Sequence, residues 1–322
     1  MVTLRLEDVL AAKVRLGKDI HQTPLLQSRL LSEHVGCKVF IKAEFLQKVG
    51  AFKARGVLNF IRANDVAKEE LTTFSSGNHG QALAWAGRLH GKEVVVFMPE
   101  DASPAKVAAV KQYGGIVHPA GLSSSDREKA CRAYSEKTGA VIVPPYDHES
   151  IIAGQGTVMV EIVSQLPMFD AVLIPTGGGG LLSGNALVIA SIRQHAKVFA
   201  CEPLSAADAQ ASIRSGTLQS IGYPSTIADG ARNLRLGDRN WELIRRYVTD
   251  GLACSESQIV EAMWLYGTYL KQVVEPSGAL SLACLLAHRD RFRGKTVVLI
   301  ASGGNIALQD YGKLMQQHAS RA

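Results

Sequence analysis

From Val39 onward the chain alternates short apolar runs with longer amphipathic stretches. Runs rich in Val, Ile, Leu and Phe predict strands near Val39–Glu44, Thr72–Ser75, Glu93–Met98, Gly115–His118 and Ala140–Val143. Further strands are expected at Ala171–Pro175, Lys197–Cys201 and Lys295–Ala301. Between them, Ala54–Ala63, Gly80–Leu89, Pro104–Tyr113 and Asp126–Lys137 carry apolar residues at helical spacing. Leu4–Ile20 opens the chain as an amphipathic helix. Thr23-Pro24-Leu25 breaks the pattern, because proline lacks a backbone donor and restricts its predecessor. Apolar strands that alternate with helices imply an α/β fold of twisted parallel sheets covered on both faces. The βα units of residues 67–144 are self-sufficient and predict a small mobile domain. Residues 1–66 and 145–322 then form the larger domain. Ligands of such folds bind in the crevice at the carboxyl ends of the strands.

Composition narrows the partners. The 322 residues carry 35 basic and 29 acidic side chains, a formal net charge of +6. The basic residues are scattered, so the excess speaks for a small anionic ligand and against nucleic acid, which needs a continuous stripe. No apolar run reaches the length of a membrane span, and Met1 to Asp19 is too charged for a signal peptide; a cytoplasmic enzyme with no membrane partner is expected. Cys37, Cys131, Cys201, Cys254 and Cys284 are far apart and odd in number, which fits reduced thiols.

Four polar, glycine-bearing stretches each follow a predicted strand. In Gly50-Ala51-Phe52-Lys53-Ala54-Arg55-Gly56 a lysine is held between glycines at a strand-to-helix turn, where desolvation can lower its pKa enough to react with a carbonyl. In Thr176 to Gly184, Gly177, Gly178, Gly179 and Gly180 free the backbone amides ahead of an apolar helix, a setting that attracts a phosphate. Read instead as a dinucleotide loop, the same stretch has Leu182 or Ser183 where the third glycine belongs. Glu202 closes the next strand where a ribose-binding acid would stand, so a nicotinamide-dependent oxidoreductase is the rival class. Ser75-Ser76-Gly77-Asn78-His79 offers hydroxyls and amides at a helix start, suited to a carboxylate. Ser302, after the last strand, adds a hydroxyl donor.

A phosphate cradle, a carboxylate clasp, a lone hydroxyl and a reactive lysine match the needs of pyridoxal phosphate. With these motifs in order from about Leu4 to Leu308, the sequence resembles the fold-type II pyridoxal-phosphate enzymes, in particular the serine/threonine dehydratase, serine racemase and hydroxyaspartate dehydratase family. The resemblance implies a two-lobed fold similar to tryptophan synthase β, with the active site between the lobes. It implies that Lys53 bonds the cofactor aldehyde, that Phe52 and Gly230 lie against the ring faces, and that Gly177 to Gly180 with Leu181 hold the phosphate. Asn78 would bond the ring hydroxyl oxygen and Ser302 the ring nitrogen, with Glu275 as an acid near the ring. Ser75, Ser76, Gly77 and His79 would bind substrate. Glu202, Ala206 and Asp208 match the spacing of a divalent-cation site for Mg²⁺, Mn²⁺ or Ca²⁺, which re-explains Glu202 without a ribose.

Val49 and Ala51 replace hydroxyl residues common before Phe-Lys, and Tyr146 replaces an Asn of animal serine racemases. The implied reaction is β-elimination of water from a β-hydroxy amino acid (L-serine, L-threonine or 3-hydroxyaspartate) to a 2-oxo acid and ammonia. The alternative is a serine or aspartate racemase that uses Lys53 and Ser76 as bases on two faces. A substrate with a β-carboxylate needs an extra cation, for which Arg132 on the predicted helix Asp126–Lys137 is the candidate. Relatives imply a homo-oligomer, a dimer in the first instance.

Overall fold

The computed structural model describes residues 3–64, 66, 70–75, 77–192 and 195–320. Among the described residues ten strands form two sheets: β1 (Leu25–Gln27), β2 (Lys38–Ala43), β3 (Glu70–Phe74), β4 (Glu93–Met98), β5 (Ile116–Pro119), β6 (Val141–Ile142), β7 (Ala171–Pro175), β8 (Lys197–Pro203), β9 (Asp250–Cys254) and β10 (Thr296–Ala301). The larger sheet runs β1-β2-β10-β7-β8-β9 and the smaller β5-β4-β3-β6. Every pairing is parallel except β1 with β2. Two strands escape the sequence reading. The first, β1, is a short antiparallel edge beside Pro24, whose ring breaks the helical pattern but is tolerated next to an edge strand, which needs donors on one side alone. The other, β9, reads Asp-Gly-Leu-Ala-Cys, too mixed to register as an apolar run.

The large sheet is buried on both faces because its central strands are apolar almost throughout. Along β10, Val297, Leu299 and Ala301 enter one core while Val298 and Ile300 enter the other. In β7, Ala171 and Leu173 alternate with Val172 and Ile174 in the same way. This is the period-two alternation of a two-faced sheet. A third core joins the small sheet to the helix Lys53–Ala63, through Ala54, Val57, Leu58, Phe60 and Ile61. No helix among the described residues is long and apolar enough to cross a membrane.

The helix Lys53–Ala63 is tied down by charge as well as by packing. Arg55, two residues beyond Lys53, is buried and donates from Nε and Nη2 to the two oxygens of Glu44, each at 2.8 Å. The same guanidinium donates to Glu161 of the helix Glu149–Gln165 at 2.6 and 3.0 Å. Lys42 of β2 completes the cluster, with Nζ 2.6 Å from Glu161 Oε2 and 2.7 Å from the Thr23 carbonyl. Two cations face two anions, so the buried cluster is neutral overall, and it joins β2, the turn after it and two helices. Burial pushes the Glu44 carboxyl up, but the Arg55 charge and hydrogen bonds overcome this and hold its pKa below the usual value. The crossing of the two helices is equally close: a Cβ on Gly154 would lie 2.7 Å from the Arg55 carbonyl oxygen.

Replacing Arg55 with Leu strands the buried Glu44 carboxylate and leaves Glu161 to Lys42 alone. It should lower the unfolding free energy in urea by about 3–5 kcal/mol, the cost of breaking a buried ion pair from one side; an unchanged midpoint would show that the cluster does not anchor the helix.

Candidate active site

The turns after β2, β3, β7 and β10 all open on one cleft of about 170 Å³ between the two sheets. Lys53 is the first residue of its helix. The turn that delivers it is stitched to the turn after β10: Phe52 N donates to the Ser302 carbonyl at 3.1 Å, and Ala51 bridges to Gly303. Val49 just before it has φ 55°, a left-handed conformation costly for a β-branched residue. Asn305 holds that turn, with Nδ2 donating to the Val49 carbonyl at 2.8 Å. Lys53 Nζ donates to the Pro145 carbonyl at 2.7 Å and lies 5.2 Å from the Phe52 ring centroid. Burial lowers its pKa to about 8.

On the wall after β7, the amides of Gly177, Gly178, Gly179, Gly180 and Leu181 donate to no acceptor among the described residues, and the helix Gly180–Ile192 begins there. Gly179 has φ +97°, a region that residues with a side chain rarely adopt, and a Cβ on Gly178 would fall 2.3 Å from the Tyr146 ring. Five free donors at a helix start form a cradle for an anion.

Opposite, Asn78 opens the helix Asn78–Leu89 and donates from Nδ2 to Glu275 Oε1 at 2.6 Å, while its Oδ1 accepts from Asn305 at 2.8 Å. Glu275 is buried, its Oε2 has no partner among the described residues, and burial raises its pKa to about 7, with Lys106 acting against that rise. His79 Nε2 lies 3.1 Å from the Val143 carbonyl. A carbonyl only accepts, so Nε2 carries the proton and Nδ1 is a free acceptor. Burial, together with the Lys53 charge, lowers the His79 pKa to about 3, so the ring stays neutral.

Phe52, Lys53, Ser75, Gly77, Asn78, His79, Gly177 to Leu181, Gly230, Glu275 and Ser302 thus share one cleft. Among the described residues Ser302 Oγ makes only a 3.4 Å contact to the Ser277 carbonyl, and Gly230 N is held by Ser277 Oγ at 2.9 Å. Ser76 lies outside the described residues. Arg132 is not brought in. It is exposed on the helix Ser124–Thr138 and paired with Glu128 at 2.7 Å.

Arg127 of the same helix lines the cleft instead. That helix buries Arg127 and Cys131, four apart on one face. Arg132 is five positions on from Arg127, turned by about 140°. The sequence signal was Cys131, an inert buried residue type that marks the inner face. Arg127 Nη1 donates to the Leu122 carbonyl at 2.9 Å, and its Nε has no partner among the described residues. Sequence reasoning also gave no role in the cleft to Lys106, Asp229 and Asn233.

Glu202, Ala206 and Asp208 lie away from the cleft, at the end of β8 and the turns after it. Glu202 accepts from the amides of Ala209 and Gln210 at 2.9 and 2.8 Å. Asp208 Oδ2 is buried with no partner among the described residues. Burial raises the pKa of both carboxyls, and Asp208 adds to the rise at Glu202. Among the described residues no three His, Cys, Asp or Glu side chains converge on a metal position, so protein side chains here supply two carboxylates only.

Comparison with known proteins gives the family. The pyridoxal-phosphate dependent enzyme family matches residues 16–303. The chain belongs to that family. It is 39% identical to a serine racemase of Schizosaccharomyces pombe, over 97% of each chain. It is also 39% identical to an L-threo-3-hydroxyaspartate ammonia-lyase of Saccharomyces cerevisiae, over 96% of this chain and 95% of that one. Among solved structures it resembles a threonine deaminase from T.th., with a TM-score of 0.90, 42% identity and coverage of 94% of this chain and 99% of that one. The nicotinamide alternative therefore gives way, and the free amides after β7 fit the phosphate of pyridoxal phosphate, as Lys53 fits its aldehyde.

If burial controls Lys53, capture of pyridoxal phosphate by the apoprotein should rise with pH through a midpoint near 8, as the amine loses its proton. A midpoint near the ordinary 10.5, followed by absorbance, would show a solvated lysine.

Proposed function

We propose that the chain is a pyridoxal-phosphate dependent ammonia-lyase that removes water from a β-hydroxy amino acid, with 3-hydroxyaspartate as the preferred substrate. The observation that carries this choice is Arg127, a buried guanidinium lining the cleft with an Nε–H that has no partner among the described residues. A second carboxylate on the substrate satisfies it; the methyl of threonine or the hydrogen of serine does not. Relatives at about 39% identity include hydroxyaspartate ammonia-lyases as well as serine racemases, which supports the reading.

Bound pyridoxal phosphate supplies an electron sink for charge that develops at the substrate Cα. Lys53 holds the cofactor between turnovers, and its freed Nζ, with its lowered pKa, takes the Cα proton. The amides from Gly177 to Leu181 hold the phosphate, and Ser302 Oγ donates toward the ring nitrogen without ionising it. Gly77, with Ser75, orients the substrate α-carboxylate, and Asn78 would hold the ring hydroxyl oxygen of the cofactor. Neutral His79 adds no charge beside Lys53, and so does not oppose its protonation during turnover. The same reading takes residues 67–144 as the lobe that moves. It also assigns Glu202, Asp208 and the Ala206 carbonyl to a divalent cation, which would neutralise two buried carboxylates that have no cationic partner among the described residues.

Three measurements test this. With Mg²⁺ and pyridoxal phosphate, 3-hydroxyaspartate should yield oxo acid faster than L-serine or L-threonine, and Lys53→Ala should abolish turnover; faster build-up of D-amino acid than of oxo acid would instead make the chain a racemase. Arg127→Leu should raise KM for 3-hydroxyaspartate by roughly ten- to hundredfold, the loss of a charge-assisted hydrogen bond, and leave L-threonine little changed. Mg²⁺ should raise the melting temperature of the wild type, most strongly above pH 7 where Asp208 is ionised, and leave Asp208→Asn unmoved.

A further inference from the structure

A second cavity of about 350 Å³ lies beside the active-site cleft. Lys106, Arg127, Asp229, Arg232 and Glu275 border both spaces. Between them runs the ion pair of Lys106 Nζ with Asp229 Oδ2. Lys106 stands on the helix Pro104–Gln112, whose Val110 is in the core of the small sheet. Asp229 opens the turn Asp229–Ala231, whose Ala231 is in a core of the large sheet. The pair therefore spans the cleft from one sheet's layer to the other's.

Two details connect the pair to the chemistry. The Lys106 stem lies directly over Gly77, where a Cβ would fall 2.9 Å from Lys106 Cδ. Gly77 is the cap of the helix Asn78–Leu89 and a member of the carboxylate clasp, so the position at which the ammonium is held sets how the stem bears on the clasp. Glu275, bonded to Asn78, feels both partners, lowered by Lys106 and raised by Asp229. The side chains are 17% and 23% exposed, shielded enough for the attraction to matter and open enough that neither is stranded when the other is removed.

We propose that Lys106 and Asp229 are a positioning pair, a latch across the cleft that holds the two layers together and seats the Gly77–Asn78 clasp for substrate. The proposal rests on the cleft being the amino acid site but not on which β-hydroxy amino acid occupies it. When the latch is broken, the binding-competent arrangement becomes a fraction of the population, and apparent affinity falls by that fraction.

The test uses the holoenzyme with Lys106→Met, Asp229→Asn, the double variant and the charge swap K106D/D229K. Each single variant should raise KM by roughly fivefold with kcat little changed, the scale of one partly shielded ion pair. The double variant should be no worse than either single one, and the swap should recover much of the loss. Additive losses would overturn the latch. So would an Asp229→Asn enzyme with unchanged or lower KM, since that is the result if Lys106 binds substrate directly and Asp229 merely competes for it. Amide hydrogen exchange across Gly77–Leu89 gives a readout without turnover: both single variants should speed it equally and the double variant no further. If no β-hydroxy amino acid is turned over, the proposed activity fails, yet unchanged exchange is still needed to overturn the latch.

Discussion

The arrangement depends on one buried, neutral cluster of charge. Lys42, Glu44, Arg55 and Glu161 come from a strand, a turn and two helices, and each is almost wholly removed from water. Such a cluster contributes less to net stability than its distances suggest, because desolvation offsets most of the attraction. Its effect is on geometry. Any shift of the helix Lys53–Ala63 along its axis would separate a guanidinium from two carboxylates in a medium where that is costly. Lys53, two residues before Arg55, inherits this fixed position. The turn ahead of it can then hold Val49 in an unfavourable conformation, because the structure on both sides over-determines it.

Inside the cleft, burial sets the protonation of the working groups, each toward its neutral form. Lys53 is lowered to about 8, His79 to about 3, and Glu275 is raised to about 7. One desolvated space thus loosens the proton on the lysine, silences the histidine and leaves the glutamate close to titration. The phosphate cradle works in the opposite sense. Its donors are backbone amides, which do not titrate and cannot be neutralised by burial, so they remain ready for an anion at any pH.

The cations around the cleft have different partners, and this separates their roles. Lys106 is matched by Asp229 on the facing layer, Arg132 by its helical neighbour Glu128, and Arg127 by a carbonyl alone among the described residues. A buried guanidinium with donors to spare is the group that an incoming carboxylate stabilises most, whereas a surface pair such as Arg132–Glu128 contributes little.

The sequence by itself determined the α/β alternation, most strand positions and the stretches that form the cleft. It could do so because period-two and period-3.6 patterns, glycine-rich turns and a lysine at a helix start are local chemistry. The tertiary structure decided what depends on pairing across the chain. Lys42 meets Glu161 from 119 residues away, and Asn78 meets Glu275 from 197. The choice of Arg127 over Arg132 turned on about 140° of helix rotation, set by which face packs on the sheet. The edge strand β1 formed only because β2 stood beside it to accept a partner. Local backbone preferences act over a few residues and are written in order along the chain; the partner of a buried charge is chosen by packing, once desolvation makes every unpaired alternative costly.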